Sequence, residues 1–270
     1  MICIRLLARS ALKKSPRIKA LLKRLLQWVC PSTGVSISYK QLKLGDVKGE
    51  FIRLRAAWQS VDLPVRQREL VDRQLAAYRR GDPVDVFDIL IRALRAVPDA
   101  ARGMSVLEVG CSSGFYSEVF DIAGLGVNYA GCDYSDSFIA LARQTYPALC
   151  FDVDDATSLS YVNDAFDVVI SGCCLLHIPE YEDAIAETAR VARQFAIFHR
   201  TPIVLGNPNT YYRKKAYGVE TVEIHFNEFQ FLTLLASSGL ELVATYTLDE
   251  TIINGVGTAT RTYVCKKIPI

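Results

Sequence analysis

A carboxylate stands inside an apolar run that ends in glycines, in the segment Val106–Phe115 (VLEVGCSSGF). Glycines after such a run are typical of a strand-to-helix loop that binds a ligand through its backbone. Glu108 would repel a phosphate held by this loop, by about 4 kcal/mol for charges about 4 Å apart at an effective dielectric constant of about 20. The dinucleotide pattern G-x-G-x-x-G is not matched either, because Ser112 takes the middle position between Gly110 and Gly114. The segment therefore predicts a ligand that brings a cation to the loop.

Three further segments place an acidic or small residue at the end of an apolar run. They are Gly131–Ser135 (GCDYS), Phe151–Thr157 (FDVDDAT) and Ala165–Ile178 (AFDVVISGCCLLHI). Taken alone each is a weak match, since Asp133, for example, can simply cap a helix. In this order, from about Ser105 to Lys266, the chain resembles the class I S-adenosylmethionine-dependent methyltransferases.

The resemblance implies S-adenosylmethionine as the cofactor and assigns residues to each part of it. The glycine loop and Glu108 would meet the methionine part, Asp133 the ribose hydroxyls, and Asp155 with Ala156 the adenine edge. A carboxylate can accept hydrogen bonds from two neighbouring hydroxyls at once. Ser112 and Gly172 depart from the family pattern, which often has glycine and a polar residue there. The cofactor-binding residues so predicted are Glu108, Gly110, Ser112, Gly114, Asp133, Tyr134, Asp155, Ala156 and Gly172.

Methyl transfer from a sulfonium is an in-line displacement in which the protein aligns the acceptor and excludes water. An amine or thiolate acceptor needs little more, whereas a hydroxyl acceptor benefits from a general base such as histidine. The three histidines of the chain are all expected at the sheet edge that faces the acceptor: His177, His199 and His225. A histidine at the end of a strand is often only a cap, so the sequence leaves open which of them is the base. Position alone ranks His177 and His199 above His225.

The segment Thr201–Glu223 is long and rich in tyrosine and in cations. Aromatic faces beside cations suit a sugar ring that carries a phosphate or carboxylate. We expect this segment and the helices before Gly103 to close over the acceptor and the cofactor as a lid, with a solvated basic loop as the alternative for the segment. The substrate-binding residues it predicts are Tyr211, Tyr212, Arg213, Lys214 and Tyr217.

The N-terminal part of the chain is strongly basic. Residues 1–45 hold ten Lys or Arg and no Asp or Glu, although the formal charge of the whole chain is only +2. Apolar residues recur at steps of three and four between Arg17 and Val29, which predicts an amphipathic basic helix. Residues 1–30 either lie on an anionic membrane surface or pack on the protein itself or on a second subunit. An organelle transit peptide has a similar composition.

The elements that must position these residues follow from the changes of periodicity along the chain. A helical region from about Phe51 to Val97 is broken at Gly81–Pro83, and after Gly103 short β-rich runs alternate with helices. Such alternation is typical of a parallel sheet. We predict an α/β fold: a Rossmann-like doubly wound seven-stranded sheet with an antiparallel terminal hairpin and an N-terminal helical extension. The predicted strands are Ser105–Val109, Val127–Cys132, Leu149–Val153, Phe166–Gly172, Phe195–His199, Leu240–Leu248 and Thr260–Lys266.

The predicted organisation has three parts. Residues 1–48 form the basic arm and a linker over 34–48, residues 49–103 a helical cap region, and residues 104–270 the methyltransferase domain. The eight cysteines include no C-x-x-C pair, which indicates reduced thiols in a cytoplasm, and the sequence predicts no metal site. Residues 1–30 would then attach the protein peripherally to the inner membrane.

The sequence therefore favours a methyltransferase that methylates a hydroxyl of a small polar acceptor, such as a sugar of a cell-surface glycan. One alternative is a methyltransferase-like binding or scaffold protein without activity. A nucleic-acid methyltransferase is the other, and the acidic balance of the chain outside the arm argues against it. The oligomeric state is left open.

Overall fold

The structure is a computed structural model that describes residues 39–98 and 102–268. The predicted arm, residues 1–30, lies outside the described residues. The α-helices are α1 (Leu44–Leu54), α2 (Leu63–Arg79), α3 (Asp85–Arg95), α4 (Tyr116–Ile122), α5 (Asp136–Thr145), α6 (Tyr181–Val191) and α7 (Glu228–Ser237). Short 3-10 helices span Arg55–Gln59 and Leu175–His177. The strands are β1 (Lys40–Gln41), β2 (Arg102–Val109), β3 (Gly126–Asp133), β4 (Cys150–Val153), β5 (Phe166–Gly172), β6 (Ala192–Val204), β7 (Thr210–Ala216), β8 (Val219–Asn227), β9 (Leu240–Ile253) and β10 (Val256–Lys267).

Five parallel strands form the centre of the sheet, in the order β4-β3-β2-β5-β6. β9 and β10 pair antiparallel, and β10 also lies antiparallel against β6. The turn between them has positive φ at Asn254 and Gly255, as a tight hairpin requires. The predicted α/β fold with a terminal hairpin is confirmed, and the described residues add β1, β7 and β8 to the predicted strands.

Side chains alternate between two buried faces along the central strands. Val106, Val168 and Ile170 pack on one face with helices α2 to α5, whereas Leu107 and Val169 pack on the other with α6 and α7. Helices on both faces bury the parallel strands on both sides. The loops and helix starts that follow β2, β3, β5 and β6 therefore meet at the carboxyl edge of the sheet, where a doubly wound fold binds its ligands.

The segment Thr201–Glu223 is not a loop that closes over the sheet. β6 continues to Val204, and β7 pairs with β8 in an antiparallel hairpin from Thr210 with His225 to Ala216 with Val219. Because the backbone of this hairpin is paired and one of its faces is buried, it is a fixed wall beside the carboxyl edge, which corrects the predicted lid.

The N-terminal helices cover the same edge. The predicted break at Gly81–Pro83 is confirmed, since α2 ends at Arg79 and α3 begins at Asp85. The predicted linker is corrected in its second half, because residues 40–41 pair with β7 and α1 begins at Leu44. The division into arm, cap and catalytic domain stays a prediction.

Candidate functional site

The glycine loop after β2 owes its glycines to backbone shape and to packing. Gly110 and Gly114 have φ of 74° and 71°, where a side chain is strained. A Cβ at Gly110 would lie 2.4 Å from the Cβ of Cys174, and one at Gly114 would lie 2.5 Å from the ring of Phe151. Both glycines are therefore required by the protein itself, before any ligand is considered.

Glu108 lies below the loop and not at its rim. Its side chain is only 2% exposed, and its Oε2 accepts a hydrogen bond of 2.5 Å from the hydroxyl of Tyr129. A Cβ at Gly172 would come within 2.6 Å of the Oε1 of Glu108, so this glycine leaves room for the carboxylate. Burial raises the pKa of Glu108 well above its ordinary range, and the bond from Tyr129 offsets this only in part. The expected position of Glu108 at the lip of the loop, facing an open ligand site, is thereby corrected, because the carboxylate is buried and bound by Tyr129.

Asp133 ends β3 beside the glycine loop. Its Oδ2 accepts a hydrogen bond of 2.9 Å from the backbone N–H of Ser112, and its Oδ1 accepts one of 3.0 Å from that of Ser135. Ser112 reaches this position with a φ of 49°. Burial raises the pKa of Asp133 to about 6, although the N–H donors favour the charged form. Since a carboxylate has about four acceptor positions, Asp133 can still bind a hydroxyl.

A cleft of about 320 Å³ opens at the ends of β3 and β4. Its lining includes two residues that the sequence predicted, Tyr134 and Asp155, together with Val153 and Asp154. Gln59, at the end of the first 3-10 helix, lines it from the opposite side. Ala156 packs instead against the core beneath. The cleft lies within the size range of small-molecule sites.

His177 ends the 3-10 helix that follows β5, under the N-terminal helices. Its Nδ1 is 2.7 Å from the carbonyl oxygen of Val222 and therefore carries the proton, because a carbonyl can only accept. Burial lowers the pKa of His177, so the ring is neutral at pH 7 and its Nε2 holds a free electron pair. The ring of Trp58 packs on it at a centroid distance of 4.8 Å. Trp58 also donates to the hydroxyl of Thr221, which fixes the indole in place.

His199 is held by protein groups on both ring nitrogens. Its Nε2 lies 2.9 Å from the hydroxyl of Tyr116, and its Nδ1 lies 3.0 Å from the hydroxyl of Thr262. Burial, followed by the charge of Arg200, lowers the pKa of His199 well below its ordinary value. This arrangement orients Tyr116, and it leaves His199 without a nitrogen for a substrate.

His225 belongs to a buried cluster of charges on the hairpin. Its Nε2 lies 3.0 Å from Glu223, whose other carboxylate oxygen is 2.8 Å from the Nζ of Lys214. The hydroxyl of Tyr39 accepts a hydrogen bond of 2.9 Å from the same Nζ. Although burial disfavours its charge, Glu223 raises the pKa of Lys214; Lys214 and His225 in turn hold the pKa of the buried Glu223 well below its usual range.

The predicted substrate-binding residues of the hairpin have separate roles. Lys214 is bound in the cluster just described, and Arg213 forms an ion pair of 2.8 Å with Glu50 of α1. Tyr212 is fully buried, and Tyr211 packs against the core. Only Tyr217, in the turn of the hairpin, lies near the candidate site, with its ring 6.5 Å from that of Trp58. The prediction that Arg213 and Lys214 are free for a substrate is corrected, because both charges are paired within the protein.

Three residues at this edge were not predicted from the sequence: Trp58, Gln59 and Arg200. Trp58 and Gln59 come from the predicted helical cap region, and nothing in their local pattern singles them out as residues of the site. Arg200 directly follows His199, where the sequence predicted the fifth strand to end; in the structure it lies within β6. Its guanidinium lies among Cys173, Tyr116 and Tyr217.

Within residues 39–98 and 102–268, no helix is long and apolar enough to cross a membrane. The same residues contain no cluster of three His, Cys, Asp or Glu side chains that could hold a metal ion.

Comparisons with known proteins agree on the central part of the chain. Residues 107–198 match the family model described as methyltransferase domain. A demethylmenaquinone methyltransferase from Renibacterium salmoninarum is 31% identical over 105 residues, which are 39% of this chain and 42% of that protein. A ubiquinone biosynthesis O-methyltransferase from Rhizobium etli is 29% identical over 100 residues, which are 36% of this chain and 40% of that protein. The matched part thus spans less than half the length of these relatives.

Solved structures show the same fold at low identity. A putative S-adenosylmethionine-dependent methyltransferase from Listeria monocytogenes has a TM-score of 0.50 at 16% identity, covering 66% of this chain and 97% of that one. The [4+2]-cyclase SpnF has a TM-score of 0.50 at 16% identity, covering 72% of this chain and 92% of that one. The two names differ in activity, so the shared fold leaves the chemistry to be argued from the site.

Proposed function

We propose that this chain, whose residues 107–198 match the methyltransferase-domain family model, is an S-adenosylmethionine-dependent methyltransferase that transfers a methyl group from S-adenosylmethionine to a hydroxyl oxygen of a small molecule. The family match supports the methyl transfer. His177 carries the proposal of an oxygen acceptor, because its neutral ring presents an Nε2 with a free electron pair at the sheet edge. Such a nitrogen suits the removal of a proton from a hydroxyl.

The residues at the edge fit S-adenosylmethionine. Asp133 keeps acceptor capacity for the ribose hydroxyls after binding its backbone N–H donors. The cleft lined by Tyr134, Asp155 and Gln59 has room for an adenine ring. Glu108 is a buried carboxylate without a cationic partner among the described residues, and an ammonium group above the loop would supply the missing charge.

The protein contributes to the reaction mainly by positioning the acceptor and the cofactor. When bound, S-adenosylmethionine would supply an electrophilic methyl group on a sulfonium, with a neutral thioether as the leaving group. Nε2 of His177 takes the hydroxyl proton of the acceptor as the new carbon–oxygen bond forms. Trp58 holds the imidazole and shields this side from water.

We propose a hydroxylated ring as the acceptor. The prediction of a glycan sugar depended on the basic arm and on the aromatic, cationic segment 201–223, and the cations Arg213 and Lys214 of that segment are both paired. Trp58 and Tyr217 offer aromatic faces beside His177, which suit a flat ring. The relatives named for demethylmenaquinone and for ubiquinone biosynthesis support a ring acceptor as well.

The test is a screen of catechols, quinols and sugars with cofactor labelled in its methyl group. We expect label in a ring hydroxyl and its loss in His177→Asn. Calorimetry with S-adenosylhomocysteine runs beside it, because a binding or scaffold protein without activity would pass the calorimetry and transfer no label. Transfer to an amine or thiol alone, unaffected by His177→Asn, would refute the oxygen acceptor.

A further inference from the structure

One cation near the candidate acceptor site has no charge to balance it. The Nε of Arg200 is buried and makes no hydrogen bond. Among the described residues, no carboxylate lies within ion-pair distance of its guanidinium, whereas Arg213 and Lys214 each have one. A guanidinium keeps its charge at any physiological pH, since its pKa exceeds about 12. The Tyr116 hydroxyl is a neutral hydrogen-bond partner of Arg200, but it brings no counter-charge. A buried charge without a counter-charge is costly, so this position invites an anion from outside the described chain.

The groups around Arg200 do not supply that anion. They are the thiol of Cys173, the hydroxyl of Tyr116 and the side chain of Tyr217. Glu223, a carboxylate whose charge acts on Arg200, is already bound to Lys214 at 2.8 Å and to His225 at 3.0 Å. Arg200 and Lys214 therefore share the carboxylate of Glu223, and one positive charge stays unbalanced.

Tyr217, which contacts Arg200, also contacts a second residue that has a buried atom without a hydrogen-bond partner. The amide of Gln67, from α2, is hydrogen-bonded to Tyr217, while its buried Oε1 accepts no hydrogen bond. Cys173, Arg200 and Tyr217 all have a positive φ, of 62°, 59° and 50°. Non-glycine residues are strained in this region, and such strain concentrates at binding sites. These side chains thus offer a cationic donor and a neutral acceptor on a strained frame.

The strand order places these side chains on the acceptor side. Asp133 ends β3, on one side of β2, whereas Arg200 lies in β6, directly after the pairing of His199 with Gly172 at the end of β5. Neighbouring strands are about 4.8 Å apart, so the backbones of β6 and β2 are about 10 Å apart, and Arg200 lies on the side of β2 away from β3. The charge of Arg200 also acts on His177, the proposed base.

We propose that Arg200 binds an anionic oxygen of the acceptor, such as a carboxylate, while Gln67 accepts a hydrogen bond from the same molecule. The acceptor class is then a hydroxylated ring that carries an acidic group. The identification of this molecule as the methyl acceptor rests on the proposed function. The carboxylate of the cofactor itself is a second source of the same chemistry, and the experiment separates the two.

The experiment uses the full chain labelled with ¹⁵N, and it follows the Nε–Hε signal of Arg200 by NMR. Arg200→Lys identifies that signal by its loss. Benzoate is the probe, and benzamide is its neutral counterpart of the same shape. We expect benzoate to move the signal with saturation, with S-adenosylhomocysteine present, and to bind at least about tenfold more tightly than benzamide, which is about 1.4 kcal/mol.

Variants check that the response depends on Arg200. Calorimetry should show that Arg200→Gln loses benzoate binding, while its affinity for S-adenosylhomocysteine stays within about twofold of the parent protein. Lys215→Gln, which removes an exposed cation from the hairpin of β7 and β8, should leave benzoate binding unchanged.

Three results would overturn the inference: equal binding of benzoate and benzamide, no saturable shift, or benzoate binding that persists in Arg200→Gln. If S-adenosylhomocysteine moves the Arg200 signal and 5′-methylthioadenosine, which lacks the amino acid part, does not, the cofactor is the source of the anion and the acceptor assignment is wrong. The titration is repeated without nucleoside. Absent binding of S-adenosylhomocysteine would contradict the proposed function alone, and the benzoate response would still decide the role of Arg200.

Discussion

The Nδ1 of His177 lies 2.7 Å from the carbonyl oxygen of Val222, and this contact fixes the tautomer of the ring. The proton sits on Nδ1, so Nε2 is the basic nitrogen. Among the three histidines, His199 uses both nitrogens within the protein, and Nε2 of His225 faces a carboxylate. His177 is therefore the histidine whose free electron pair is best placed to act on a substrate.

Replacing His177 should slow the reaction without weakening cofactor binding. His177→Asn keeps a donor for the carbonyl of Val222 and removes the base, so we expect kcat to fall by about 10² to 10⁴ with a hydroxyl acceptor. His225→Gln is the control variant, and its kcat should fall much less. Steady-state kinetics and calorimetry measure the two effects. Equal losses in both variants would argue that the hairpin cluster, and not the base, limits the rate.

The pH profile gives a second readout of the same residue. Burial lowers the pKa of His177, so its neutral form persists below the ordinary histidine value of about 6.5. We expect kcat of the parent protein to decline only below that pH, and we expect this acid limb to be absent in His177→Asn. A limb centred above pH 7 would contradict the assignment.

Glu108 should act through its charge on the amino acid part of the cofactor. Glu108→Gln keeps an oxygen for the Tyr129 hydroxyl and removes a buried carboxylate whose pKa burial raises well above its ordinary range. We therefore expect unchanged or higher stability, measured by urea unfolding. Affinity for S-adenosylhomocysteine should fall about tenfold or more, whereas that for 5′-methylthioadenosine should stay the same. Equal weakening of both nucleosides would mean that the substitution disturbs the loop and that the charge has no role of its own.

The Lys214–Glu223 pair should contribute to stability and not to substrate binding. Both side chains are buried, so Glu223→Gln leaves an uncompensated cation and should cost about 3 to 5 kcal/mol in the free energy of unfolding. Because the folded pKa of Glu223 is held low, this contribution is present above its unfolded pKa of about 4.3 and is lost as the pH falls further. Lys214→Met with Glu223→Gln should cost less than the sum of the single changes. Additive costs, or a stable Lys214→Met that fails to bind the acceptor, would restore the predicted substrate role of Lys214.

Residues 1–30 are proposed to bind an anionic membrane surface through their basic amphipathic pattern. Deletion of these residues should abolish sedimentation with vesicles that contain phosphatidylserine, and leave the affinity for S-adenosylhomocysteine unchanged. Neutral vesicles serve as the control. Equal binding by the full and the shortened chain would remove the membrane proposal.

The parallel sheet and the terminal hairpin could be predicted because each strand is a short apolar run between turn residues. The hairpin of β7 and β8 could not, since Arg213 and Lys214 look free in the sequence and find their partners, Glu50 and Glu223, only in the fold. The order of acidic residues along the chain indicated Asp133. Arg200 could not be predicted because the missing hydrogen-bond partner of its buried Nε shows only in the folded structure.

The central claim is that the carboxyl edge of the sheet binds S-adenosylmethionine through Asp133, and its most direct test is a calorimetric titration of the full chain with S-adenosylhomocysteine at several pH values. We predict one saturable site whose affinity declines as the pH falls through about 6, because burial raises the pKa of Asp133 to that value and the ribose hydroxyls need its charged form. Asp133→Asn should lose most of the affinity, and Asp152→Asn, at an exposed carboxylate beyond the cleft, should keep it. A chain that releases no binding heat at any pH, or one whose affinity is unchanged in Asp133→Asn, would contradict the account.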